Sequence, residues 1–220
     1  MVKQLNIIRG DDFMYTCDAC TKHVCRTGDL TDAPLNCPCR ELEKVEDIKK
    51  FYLEKENMML AHESALVEAE GYCQQTRVEE IINFAKKCGY KKLGVAFCVG
   101  LAKEAKVFAS ILRHHGFEVE SVICKSGSIP KSFIGISNDE QVRPCTYEPM
   151  CNPIGQAKFL SAAKTELNIL LGLCVGHDSL FIKHSDAPVT VFAVKDRVLG
   201  HNPLAAIYLA EGYYKKKLFK

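Results

Sequence analysis

Two short apolar runs constrain this chain more than any other feature. Leu167–Leu173 and Val189–Val194 are too short to span a membrane and suit buried strands. The first ends in Cys174-Val-Gly-His177-Asp178; the second ends in Lys195-Asp196-Arg197, and the loop after it closes with His201-Asn202-Pro203. Two similar runs lie upstream, Leu93–Cys98 and Val119–Cys124. Helical patterns separate them. One runs from Leu101 to His115, with Gly116 as its stop. Another opens at Asn152-Pro153, an N-cap followed by a favoured first helical residue, and continues to Lys164. A short helix is expected near Ser179, and Asn202-Pro203 is expected to open a last helix that runs into a Tyr- and Lys-rich end. Residues 125–150, with their prolines and glycines, read as loop. Such alternation predicts an α/β fold: a Rossmann-like, mostly parallel sheet of about four strands flanked by helices.

The preceding residues divide in two. Residues 41–90 form a helical linker, in which Leu42, Val45 and Ile48 start an apolar stripe that Leu60, Ala61, Ala65, Leu66 and Ala69 continue. Asn57 marks a break between two helices, and Gly71 ends this stretch. Thr76 and Glu79 have capping-box spacing, with Gly89 as the next stop. Residues 11–40, the greater part of the segment 1–40, have few apolar side chains and no clear period. Such a segment buries too little surface to offset its chain entropy, so it needs a staple, and a metal is the obvious one. The expected domains are therefore 1–40, 41–90 and 91–220.

Twelve cysteines are the compositional outlier in a chain of 220 residues. The start, MVKQLNIIRGDDF, lacks the basic-then-apolar pattern of a secretion signal, which points to the cytoplasm. In that reducing compartment clustered cysteines bind metal or do chemistry more often than they form disulfides. A net charge of +2 provides no field for nucleic acid, and no membrane-length apolar run appears. The chain also lacks Gly-x4-Gly-Lys-Ser/Thr and Gly-x-Gly-x-x-Gly, so nucleotide binding has no support.

The cysteines fall into two constellations. In the first, Cys17, Cys20, Cys25 and Cys37 lie close together, with Cys39 as a spare. Four thiolates suffice for an iron–sulfur cluster or a tetrahedral zinc, and a proline after the last cysteine also occurs in bacterial ferredoxin runs. The spacing resembles the small four-cysteine iron–sulfur domain of corrinoid iron–sulfur proteins, with a shorter last interval. A 4Fe–4S cluster is the expected cofactor here, and zinc is the alternative.

The second constellation follows from the fold. Cys98, Cys124 and Cys174 each close a predicted strand, and Cys151 precedes a helix start at the same edge. In an open parallel sheet, ligands bind beyond the carboxyl ends of the strands. The four cysteines are therefore expected to share a crevice, where three or four of them would hold a second cluster. His177 and Asp178 are candidates to orient or protonate a ligand, although Asp178 also fits a helix cap. Lys195 and Arg197 are placed to bind an anion, and His201 to reach the same crevice.

The stretches EAEGYCQQTRVEEIINFAKKCGYKKLGVAFCVGL, MCNPIGQAKFL and LNILLGLCVGHDSLFIKHSDAPVTVFAVKDRVLGHNPLAAIY resemble one prokaryotic family of cysteine-rich proteins of unknown function. Its members carry a metal-binding label but no reaction. The resemblance implies that Cys17, Cys20, Cys25 and Cys37, with Cys98, Cys151 and Cys174, lie within its motifs. The expectation is an iron–sulfur protein whose amino-terminal cluster relays electrons to a crevice that binds or transforms a small anionic or sulfur-containing substrate. A protein electron donor or acceptor would be its partner. The alternatives are a zinc-stapled binding protein without activity, or a metal-free thiol enzyme with Cys174 as nucleophile and His177 or His201 as base.

Overall fold

The computed structural model describes residues 15–220. The signal-peptide reading of residues 1–13 lies outside the described residues. The chain divides into two compact units, 1–62 and 63–220.

In the first unit the described residues form three single turns of 3-10 helix, Cys17–Ala19, Val24–Arg26 and Pro38–Arg40, and then helix α1, Leu42–Tyr52. Only Val24 and Ala33 are buried among its described residues. Arg40 braces this thin core by donating from Nη2 to the Ala33 carbonyl at 2.7 Å. Helix α2, Lys55–Gly71, follows and carries the chain into the second unit. The break expected at Asn57 falls a few residues earlier, between Tyr52 and Lys55. Asn57 still serves it, donating from Nδ2 to the Phe51 carbonyl at 2.9 Å and to Glu54 at 3.1 Å.

The second unit contains α3, Arg77–Lys87, opened by the expected Thr76/Glu79 capping box. Then come β1 (Lys92–Phe97), α4 (Ala102–His114), β2 (Glu118–Ile123), α5 (Pro153–Ala162), β3 (Leu167–Leu173), α6 (His177–His184) and β4 (Val189–Val194). All four strands are parallel, in the order β2-β1-β3-β4. The expected α/β architecture is the one observed. Strand β3 is buried along its whole length, as expected of a central parallel strand that is apolar except for Asn168. Leu93, Val95, Leu167 and Ile169 pack with Ile81, Ile82 and Ala85 of α3 and with Phe108 and Leu112 of α4. Ala96 and Leu170 pack the other way, with Ala157 and Leu160 of α5 and Phe181 of α6. Strand alternation thus feeds two helical layers.

The expected single carboxy-terminal helix is instead two short pieces, α7 (Leu204–Tyr208) and α8 (Lys215–Leu218). Asn202 makes no side-chain cap there, and turns through Gly212 separate the two helices. Among the described residues no helix is long and apolar enough to cross a membrane.

One glycine is demanded by the core. Gly94 of β1 faces Asn168 of β3, and a Cβ on it would lie 2.1 Å from Asn168 Oδ1. Asn168 is fully buried; it accepts from Thr165 Oγ1 at 2.8 Å and donates to Ser185 Oγ at 2.8 Å. We therefore expect Gly94→Ala to displace this amide and cost about 1–3 kcal/mol of stability, measured by urea unfolding, as for other overpacked cores.

Candidate functional site

The order β2-β1-β3-β4 reverses direction of growth at the β1/β3 pair, which opens a crevice beyond their carboxyl ends. Residues that follow the strands converge there. Cys98 continues from β1, its N–H bonded to the Leu171 carbonyl at 3.1 Å. Cys124 continues from β2, its N–H on the Phe97 carbonyl at 2.9 Å. The long loop after Cys124 returns to the same place, because the Asn152 N–H donates to the Cys124 carbonyl at 2.7 Å. Asn152 then caps α5 through Gly155 N at 2.8 Å, which seats Cys151 just outside the helix.

Lys195 is brought in by its N–H on the Leu173 carbonyl at 2.9 Å. A β-bulge helps it. Strand register shifts between Leu170 and Leu173, and Gly172 has φ +70. Leu171 and Leu173, two residues apart, accordingly pack on opposite faces: Leu171 with Leu101 and Ala105, Leu173 with Ala157 and Phe181. A Cβ at position 172 would lie 2.2 Å from Leu101 Cδ1 and 3.6 Å from Lys195 Nζ. Glycine gives the bulge its backbone conformation and leaves room for both side chains.

Three thiols meet in series. The Cys124 side chain hydrogen-bonds to Cys98 on one side and to Cys151 on the other. Two successive backbone N–H groups after β1 point at these sulfurs: Val99 donates to Cys124 Sγ at 3.3 Å, and Gly100 donates to Cys98. Cys98 is held down to about 5 by the Cys124 hydrogen bond, against the opposing effect of burial, with help from Gly100 N–H and the Lys195 ammonium. Cys151 is held down to about 4, first by Cys124, then by its hydrogen bond with His177, with further attraction from Lys125. Cys124 itself is driven up, because ionising it would set three negative sulfurs side by side in a buried place. Its one proton serves one neighbour at a time. The other thiolate then depends on its N–H and cationic partners.

His177 is raised in turn by its hydrogen bond with Cys151, against the opposing effects of burial and of Lys125. Cys174, half-buried at the end of β3, accepts from Arg197 Nη2 at 3.2 Å. Arg197 also feels the negative sulfurs of Cys98 and Cys151.

The structure thus brings together Cys98, Cys124, Cys151, His177 and Lys195, and sets Arg197 on Cys174. Other residues have local duties. Asp178 Oδ1 accepts from Ser179 N at 2.8 Å in the first turn of α6, and its charge adds slightly to the raising of His177. His201 Nδ1 accepts from the Asp196 N–H at 3.1 Å and so shapes the loop that carries Arg197. As for a base beside Cys174, the structure places His177 on Cys151 instead. Lys125 was not anticipated, although the rule that singled out Cys124 covers its neighbour; its Nζ reaches the Pro149 carbonyl at 2.5 Å across the base of the loop. Outside the crevice, Cys73 and Cys145 are exposed, and Cys88 is pushed up to about 11 by burial and then by Glu63.

In the first unit, Cys39 hydrogen-bonds to Cys37 and is raised by that contact, by burial and by the charges of Cys37, Cys25 and Cys17. The cysteine that sequence spacing treats as a spare therefore stands among the others. Cys20 follows Cys17 by a single 3-10 turn, its N–H on the Cys17 carbonyl at 3.3 Å. Among the described residues no group of three or more His, Cys, Asp or Glu side chains is arranged to hold a metal ion. For the amino-terminal segment the donor chemistry still fits a soft metal: several thiols lie close in sequence on a segment whose described residues form almost no core, where metal binding and folding are coupled. In the crevice the sulfurs stand in series, each with its own cation or N–H partner, and fit thiolate chemistry.

The chain belongs to the family described as "Protein of unknown function (DUF1847)", whose model matches residues 37–192. It is 46% identical over 204 residues to "Uncharacterized protein MJ0455" of Methanocaldococcus jannaschii, covering 93% of this chain and 98% of that protein. No solved structure matches.

The lowered thiols have a pH signature. An ordinary cysteine is only about 0.3% thiolate at pH 6, whereas Cys151 and Cys98 remain largely ionised there. Iodoacetamide should therefore modify them at pH 6 almost as fast as at pH 8, with loss of rate only as pH falls through about 5 to 4. His177→Ala should move the Cys151 profile upward. Peptide-resolved alkylation rates provide the check.

Proposed function

We propose that this protein is an iron–sulfur redox protein in two parts: cysteines of the first unit carry a cluster, and the crevice of the second unit binds a small anionic or sulfur-containing substrate at its thiols. The series Cys98–Cys124–Cys151 under a cationic rim of Lys125, His177, Lys195 and Arg197 carries this reading. Cationic groups that face partly buried sulfurs favour thiolates and draw anions towards them. On Cys17, Cys20, Cys25 and Cys37, with Cys39 beside them, a 4Fe–4S cluster would supply one-electron transfer from a protein donor. The residues of the crevice do the rest: Arg197 and Lys195 hold an anionic group, Lys125 adds attraction near Cys151, and His177 holds a proton beside the Cys151 sulfur.

Two measurements test the two halves. Anaerobically purified protein should contain iron and acid-labile sulfide, both lost in Cys17→Ala and both kept in Cys174→Ala. Stoichiometric zinc without sulfide would select a zinc-stapled module instead. For the crevice, anionic iodoacetate should be favoured over neutral iodoacetamide at Cys151. Arg197→Glu should reduce that preference by about tenfold, the low end of electrostatic effects in charged clefts. An unchanged ratio would remove the anion site.

A further inference from the structure

We propose that Cys151 and Cys124 form a dithiol–disulfide couple that reduces small anionic disulfides, with Cys151 as the attacking thiol and Cys124 as the resolving one. The inference rests on the reading of the crevice as a substrate site and adds the reaction to it.

Accessibility and contact divide the roles. Cys124 is 2% exposed and Cys98 8% exposed, whereas Cys151 is only half-buried at the mouth. An incoming disulfide therefore meets Cys151 first. The resolving thiol must already touch the attacker, and Cys124 does so through its hydrogen bond. The backbone bond from Asn152 N to the Cys124 carbonyl, 2.7 Å, holds the two segments side by side. Cys98 touches Cys124 from its other side, and Cys174 is engaged by Arg197 at 3.2 Å, which leaves Cys124 as the partner for Cys151.

The steps balance. Cys151 Sγ, as thiolate, attacks one sulfur of R–S–S–R. That bond breaks, and R–S⁻ leaves beside His177, which hydrogen-bonds to Cys151, and takes a proton from water. Cys124 then passes its proton to Cys98 Sγ, the sulfur it already bonds, and attacks Cys151 Sγ. The mixed disulfide breaks, and the second R–S⁻ leaves and takes a proton from water. Two electrons have moved from two protein thiols to the substrate, which departs as two thiols. A small dithiol returns the electrons and restores both cysteines. The charges of Lys125 and Arg197 both attract the attacking sulfur, and Arg197 lies on the neighbouring Cys174, so R should carry a carboxylate.

The test treats the full chain, purified anaerobically, with less than one equivalent of the dianionic disulfide 5,5′-dithiobis(2-nitrobenzoate), and maps peptides without reduction. Wild type should yield a Cys124–Cys151 disulfide and about two released thiolates per crevice modified. Cys124→Ser should stop at a mixed disulfide on Cys151 with about one release. Neutral bis(2-hydroxyethyl) disulfide should react more slowly at Cys151. A first adduct on Cys98 or Cys174, or no Cys124–Cys151 disulfide in wild type, overturns the couple while the crevice keeps its substrate role. Modification confined to cysteines outside the crevice overturns both. The wild-type map decides the pairing even where Cys124→Ser fails to fold.

Discussion

The parallel pairing of β1 with β3 is the contact on which the crevice depends. These strands sit at the centre of the sheet, and their ladder runs from Leu93↔Leu167 to Phe97↔Leu171. At its end the Cys98 N–H still bonds to Leu171. Because β2 lies outside β1 and β4 outside β3, the helices that follow β1 and β3 leave on opposite faces of the sheet, and the space between their starts is open. The Gly94–Asn168 fit and the burial of β3 along its whole length hold this pair in one register. A slip would send every side chain of a strand to the other face and scatter the strand-end cysteines.

On this frame the thiols are ionised by local means. Burial alone would raise all three. Cys98 and Cys151 are lowered because each has hydrogen-bond donors and a cation close by; Cys124, between them, keeps its proton because its neighbours are the sulfurs. One environment thus produces two kinds of thiol, a division of labour that acid–base and nucleophilic sites commonly use. The first unit contrasts with this. Its cysteines lie on a segment with two buried residues among those described, so the thiols there have little packing to order them.

Much of the fold is legible in the sequence, because the strands are short apolar runs with turn signals at both ends. Thr76/Glu79 and Asn152-Pro153 act through bonds a few residues long, so their capping roles are visible without tertiary knowledge. The strand-end rule likewise points to Cys98, Cys124, Cys174 and Lys195. What escapes it depends on distant segments. The His177–Cys151 contact requires a loop of residues 125–150 to return onto β2, and no periodicity encodes that return. The bulge at Gly172 is equally silent, since a glycine within an apolar run reads as a weak strand position. The carboxy-terminal helix is in two pieces because Gly212 weakens its middle and little packing supports a long helix.

The central claim is that Cys98, Cys124 and Cys151 meet at one sheet edge. A trivalent arsenical such as phenylarsine oxide bridges only thiols within reach of one arsenic, so it reads this proximity directly. Incubated with one equivalent after the amino-terminal cysteines have been blocked, the protein should carry arsenic between Cys124 and either Cys151 or Cys98. Arsenic bound at no crevice pair, with those three thiols still free to alkylate singly, would contradict the account.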